Sequence, residues 1–263
     1  MIRKRNYLVY ILLVISLPVL SQQNLFNVPS SDITLKGKVF FQQQFNINRD
    51  LYQSNTTLCY GLGGNAEIGL NLIALNFDPK GSPLLIKNGD TANPPLYPFY
   101  TLNVQKAFVL TKVFKLAVGT QAGLADCSHF GAYAYLNVIT AVTKTQSKIV
   151  SGLYYGSNSF LGSGDRNPFF SDVPLGFQIG LEQTIIHEKL FLVAENISGK
   201  HSLGETTIGI AWFASKHWML SCGYQFANPS SNTMNALVVE LTFVPAADVH
   251  KRIYRHGHDD RRT

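Results

Sequence analysis

Six ionisable residues stand at alternating positions within runs that are otherwise apolar: Lys36, Lys38, Glu67, Lys115, Glu182 and Glu240. In an extended chain, successive side chains point to opposite faces, so this spacing sends each of them to the same side as polar neighbours. Gln42, Gln44, Asn71, Asn103, Gln105, Gln121, Gln178, Glu205 and Gln225 share that side. A polar interior holding both charge signs supports two kinds of chemistry. Paired charges can fill it and rigidify it at a desolvation cost, or separated charges can line a narrow watery passage as a weak filter. Lys36 and Lys38 on the first run are expected to approach Glu240 on the last once the sheet closes.

Nucleophilic chemistry has less support. Ser128 and His129 are adjacent, and neighbours on a strand face opposite ways, so they do not read as a nucleophile and its base. His187 and His217 lie in short turns without a matching Ser and carboxylate. No catalytic residue is assigned, and an enzyme is not expected. Cys59, Cys127 and Cys222 are widely spaced with no CxxC pair, and read as small apolar side chains whose redox state stays open. His256 and His258, beside Asp259 and Asp260, carry weak metal-ligand chemistry on an unscaffolded tail. No metal, phosphate loop or nucleotide fingerprint is read from the chain, and no cofactor is expected.

The elements that must position the six charged residues are strands. Period-2 runs bounded by turn signals fall near 34–46, 54–61, 66–77, 99–110, 114–124, 129–142, 147–156, 175–184, 189–197, 202–213, 218–226 and 234–243. Most exceed the roughly 5–6 residues of a soluble strand and match the roughly 9–11 that cross a bilayer at a tilt. Short links such as "TKV", "TKTQ" and "IHEK" alternate with longer ones, above all 78–98 and 157–174. That is the turn-and-loop rhythm of an outer-membrane barrel. The predicted fold is therefore an all-β, antiparallel transmembrane β-barrel of about 12 strands, with both termini periplasmic.

Composition agrees. Only 14% of the 263 residues are charged and 46% are hydrophobic, against about 25% charged in soluble domains. Residues 1–21 read as a secretory signal peptide: Arg3, Lys4 and Arg5 precede the apolar stretch Leu8 to Leu20, and cleavage is expected after Ser21. The barrel is assigned to 22–243 and a basic periplasmic tail to 244–263. The formal charge of +6 includes three basic residues in the leader and a net +2 in the tail. The barrel itself is close to neutral, which argues against a nucleic-acid partner.

Both tryptophans flank one charged turn in "IGIAWFASKHWMLSCGY". Trp212, Phe213 and Trp218, with Phe114 and Phe243 at the same level, predict a membrane-interface girdle, where an aromatic body meets lipid and a polar edge meets water. Phe243 also ends the last strand on an aromatic, a feature associated with barrel assembly, although twenty residues follow it.

The hairpin Tyr60-Gly61-Leu62-Gly63 and Glu67-Ile68-Gly69-Leu70-Asn71 follows a polar-aromatic first strand. Over residues 25–77 the chain resembles the outer-membrane β-barrels grouped near the phenol-degradation meta-pathway outer-membrane proteins. The resemblance implies a barrel in the outer membrane of a Gram-negative bacterium and, more weakly, passage of small, even apolar, molecules. It transfers no catalytic residue. Two functions are carried forward: a passive channel for small solutes or hydrophobic compounds, and an accessory barrel with a plugged lumen. The second would bind partners through its loops or tail. Outer-membrane lipid is the expected surrounding in both.

Overall fold

The computed structural model of the protein describes residues 24–30, 32–111, 113–142, 145–167 and 174–245. The expected leader, the tail beyond Pro245 with His256 and His258, and the loop centre 168–173 lie outside them. Twelve long strands run in chain order: β1 Val39–Ile47, β2 Tyr52–Gly63, β3 Ala66–Phe77, β4 Phe99–Val109, β5 Phe114–Ala125, β6 His129–Val142, β7 Ser147–Gly156, β8 Leu175–Ile186, β9 Leu190–Ile197, β10 Glu205–Phe213, β11 Trp218–Ala227 and β12 Ala236–Phe243. Each pairs antiparallel with its neighbours in sequence. The sheet closes where β1 meets β12, from Phe41 opposite Phe243 to Ile47 opposite Leu237. The architecture is a closed 12-strand antiparallel β-barrel with no free edge.

Side-chain alternation sorts the two faces of the closed wall. The outer wall carries Leu70, Leu102 and Phe130 at 57%, 59% and 64% exposure, while inward-facing Ser221, Glu240 and Thr242 are at 0%. A soluble barrel would bury the first set and expose the second; here the pattern is inverted, with the apolar side chains outside and the polar ones within. The tight turns gather at one end of the barrel. The β2–β3 turn bends through Gly63, Gly64 and Asn65, all at positive φ, which explains the "GGN" of the sequence.

The long connections gather at the other end and fold inward. A short strand, Leu85–Ile86, pairs with β3, and further along that loop Leu96 is buried with its N–H on the Ser159 carbonyl, 2.9 Å away. Ser159 belongs to a helical turn, α1 Asn158–Leu161, capped by Ser157. Phe160 and Leu161 of α1 are buried as well, with the Phe160 ring 5.1 Å from that of Phe99.

The expected first strand, 34–46, is shortened. β1 begins at Val39, and the residues before it leave the wall. Gly37 at positive φ turns the chain, and the stretch Thr34–Lys38 crosses against Gly61. A Cβ on Gly61 would collide with the Leu35 carbonyl, so the glycine of "YGLG" is required by this close approach.

Candidate functional site

From that crossing the N-terminal segment runs up inside the barrel and folds back as a small hairpin. Asn24 bridges Pro29, and the Leu25 N–H donates to the Val28 carbonyl at 3.0 Å, which makes residues 25–28 the tip. Leu25, Phe26 and Val28 are at most 1% exposed, each contributing about 1.5–3 kcal/mol of apolar burial. Their niche exists because the facing wall lacks side chains. A Cβ on Gly180 would strike Leu25, and one on Gly209 or Gly223 would approach Phe26 to 2.8 or 2.9 Å.

The tip is held by a carboxylate. Glu195 on β9 accepts the backbone N–H groups of Phe26, Asn27 and Val28 at 3.0, 2.8 and 2.9 Å. Three converging donors stabilise a buried charge that would otherwise be costly. Asn27 Nδ2 donates to Glu205 at 2.5 Å, and the Asn27 side-chain oxygen accepts from Gln44 at 3.1 Å. Asn137 donates to the Pro29 carbonyl at 2.8 Å.

Nearer the short-turn end, buried Lys148 pairs with Glu182 at 3.0 Å and with Asp32 of the inserted segment at 3.2 Å. Lys115, half exposed, reaches the same Asp32 at 3.6 Å. Glu67, 3% exposed, accepts the Thr34 N–H at 2.7 Å. Charged groups thus tie the segment to both sides of the barrel along its length.

Beside the hairpin lies a cavity of about 380 Å³. It extends from Phe40 and Glu67 toward the short-turn end to Leu96, Leu203 and Thr233 under the long loops, with Asn24, Phe26, Asn27 and Pro29 forming part of its wall. Among the described residues that line it, fourteen are Asn or Gln and none is Lys, Arg or His. The cover over it is ordered by its own contacts. Arg166 donates to the carbonyls of Gly162 and Gly164 and to Asn158, all at 2.8 Å. Tyr154 meets His201 Nε2 at 2.5 Å. Burial, then the nearby Arg166 charge, pushes the His201 pKa down to about 3, so the ring is neutral near pH 7. Burial also lowers that of Arg166.

No family model and no curated protein matches the chain. The functional reading therefore rests on where the side chains lie.

The expected interior residues divide. Glu67 and Glu182 are buried and bonded as described, and Glu240 accepts from Gln42 at 2.5 Å and from Thr242 at 3.0 Å. Lys115 reaches the interior only through Asp32. Lys36 and Lys38 are corrected: both are exposed at the rim, because the chain departs from the wall before Val39. Gln42 and Gln44, not the lysines, meet Glu240, with Gln44 directly opposite it in register.

The aromatic set also divides. Trp212, Trp218 and Phe114 face outward at 47%, 41% and 42% exposure. Phe243 packs edge-on against Trp218 at 5.2 Å and stacks with His217 at 5.7 Å. Phe213 is corrected: it turns inward and packs edge-on against buried Phe191 at 5.9 Å, as its adjacency to outward Trp212 requires. Ser128 and His129 also differ from expectation. Ser128 belongs to a turn, not a strand, so its Oγ reaches His129 Nδ1 at 2.8 Å on the exposed surface.

Asp32, Lys148, Glu195 and Asn27 were not singled out from sequence. In β9, inward Phe191 and Val193 are as apolar as outward Leu190 and Leu192, so alternation did not mark Glu195 as interior. The three cysteines are free: Cys59 is buried, and Cys127 and Cys222 are exposed at the β5–β6 turn and on the outer wall.

Proposed function

We propose that the protein is an outer-membrane β-barrel that passes small solutes and is closed at rest by its own N-terminal segment. The observation that carries this reading is the Glu195 carboxylate gathering three backbone N–H groups of the hairpin tip inside the lumen. A contact of this kind stabilises one seated position and leaves a polar cavity beside it. The apolar outer wall and the outward tryptophans support a membrane location, as does the link rhythm. The amide lining favours polar solutes over hydrophobic compounds, because an apolar molecule would strip water from amides and return no hydrogen bond.

Planar-bilayer conductance tests the reading. The intact full-length protein is expected to conduct weakly. Glu195→Ala leaves three buried donors without their acceptor, a loss of about 1–3 kcal/mol for each, and is expected to raise conductance several-fold. A folded Glu195→Ala barrel with unchanged conductance would sink the gated-passage reading.

The Asp32–Lys148–Glu182 network favours a second reading, an accessory barrel that is permanently plugged. Breaking a buried ion pair costs about 3–5 kcal/mol, enough to hold the segment without a gating role. The unchanged-conductance outcome supports it.

A further inference from the structure

The cavity beside the hairpin has a chemical character that narrows what can enter it. We propose that it is a binding site for a small uncharged polyhydroxylated solute, a neutral mono- or disaccharide; this rests on the solute-passage reading above.

Electrostatics exclude the charged classes first. Among the described residues no Lys, Arg or His lines the cavity, so a phosphate or carboxylate entering it would lose its hydration without gaining a counter-charge from them. Its two carboxylates already serve the plug, Glu67 accepting from Thr34 and Glu205 from Asn27, which leaves no dedicated site for a cation. What remains is a wall of side-chain amides. Each amide offers two donors and two acceptor sites in one plane, and a sugar hydroxyl is likewise both donor and acceptor. Neighbouring hydroxyls on a ring can therefore bridge the two ends of one amide.

The amides are also pre-set. Asn103 donates to Asn71, and Asn71 donates to Gln121, each at 2.7 Å. This chain fixes the orientation of three side chains on adjoining strands before any ligand arrives, and preorganisation of this kind lowers the entropic cost of binding.

A second observation points to a missing partner. Gln105 is 6% exposed, lines the cavity and accepts a hydrogen bond from the Tyr135 hydroxyl at 2.5 Å, yet among the described residues its Nε2 has no hydrogen-bond partner. Orphaned buried donors are rare in folded proteins; this one belongs to a side chain of the cavity wall. Aromatic faces complete the site. The Tyr133 ring stands 5.9 Å from that of Phe160 and 6.3 Å from that of Tyr135, and all three line the cavity. They offer an apolar, electron-rich surface to the C–H face of a sugar ring. At about 380 Å³ the volume falls within the roughly 300–1,000 Å³ of small-ligand pockets.

Isothermal titration calorimetry on the full-length protein in detergent tests the assignment. The probes are glucose, maltose and sucrose, with gluconate, glucose 6-phosphate and toluene as charged and apolar counterparts. At least one neutral sugar is expected to bind saturably, and the counterparts at least tenfold more weakly. Gln105→Leu and Gln121→Leu are each expected to weaken that sugar by tenfold or more. Gln183→Leu, an amide outside the cavity, is expected to leave it unchanged. Circular dichroism and heat-shifted electrophoretic mobility confirm that each variant is folded. Absence of saturable sugar binding by the folded protein overturns the proposal. So does tighter binding of a charged or apolar probe, or indifference to both cavity variants. Failure of the passage reading looks different: sugar binds, but neither the intact protein nor Glu195→Ala conducts.

Discussion

At the residue scale, the interior charges are chosen by what they hold. Lys148 is buried between Glu182 on the wall and Asp32 on the inserted segment, so one cation pairs with two carboxylates brought from distant parts of the chain, and Lys115 shares the second. Glu195 works without a cation among these contacts, one carboxylate accepting three backbone N–H groups. His201, at 0% exposure under the loops, titrates far from its ordinary range. The folded protein takes up its proton only near pH 3, the unfolded chain near pH 6.5. Between those values the unfolded state binds more protons, so stability is full above about pH 6.5 and is lost as the pH falls toward 3. The slope is about 1.4 kcal/mol per pH unit within that window. Urea unfolding at pH 7 and pH 4.5 should show a smaller acid loss for His201→Gln than for the parent. Equal losses would mean that the ring is not shielded as the Tyr154 contact requires.

At the element scale, the inserted hairpin shows how absences build a site. The lumen-facing glycines of β8, β10 and β11 clear space for Leu25 and Phe26, while Gly61 of β2 lets the chain cross the wall. Gly209→Val should fill the Phe26 niche and unseat the tip without altering any charge. Its conductance is expected to rise as in Glu195→Ala, and an unchanged value in a folded barrel would show that the tip is not the closure. Alternation located the twelve strands well, because an apolar exterior and a polar lumen impose opposite chemistry on successive residues. It missed the end of β1, because Thr34–Lys38 keep the same composition while binding Gly61 and Glu67 in place of a neighbouring strand. It also failed for Glu195, whose inward neighbours are apolar to suit the hairpin and not the solvent.

At the scale of the whole molecule, a closed barrel with an apolar wall has two chemically distinct ends. The start of β1, the end of β12 and the tight turns lie together, and the loops bearing Leu96, Phe160 and His201 lie at the other end. If those loops face the outside of the cell, Cys127 at the β5–β6 turn should react with a membrane-impermeant maleimide on intact cells. Cys222, which lipid would shield on the outer wall, and Cys59, buried in the wall, should not react. Labelling of Cys127 only after permeabilisation would reverse the orientation.

The amino-acid sequence by itself determined the barrel, its strand number, the two ends and the polarity of the lumen. Each of those follows from local chemistry repeated at period two and from link length. It also carried the outward aromatics Trp212, Trp218 and Phe114. Only the tertiary structure decided that the lumen is occupied. The contacts responsible join residues separated by more than a hundred positions, as with Val28 and Glu195 or Asp32 and Lys148, and no periodicity encodes such a meeting. The cavity follows from the same fact, since its shape is the space that the hairpin leaves against the amide-bearing strands.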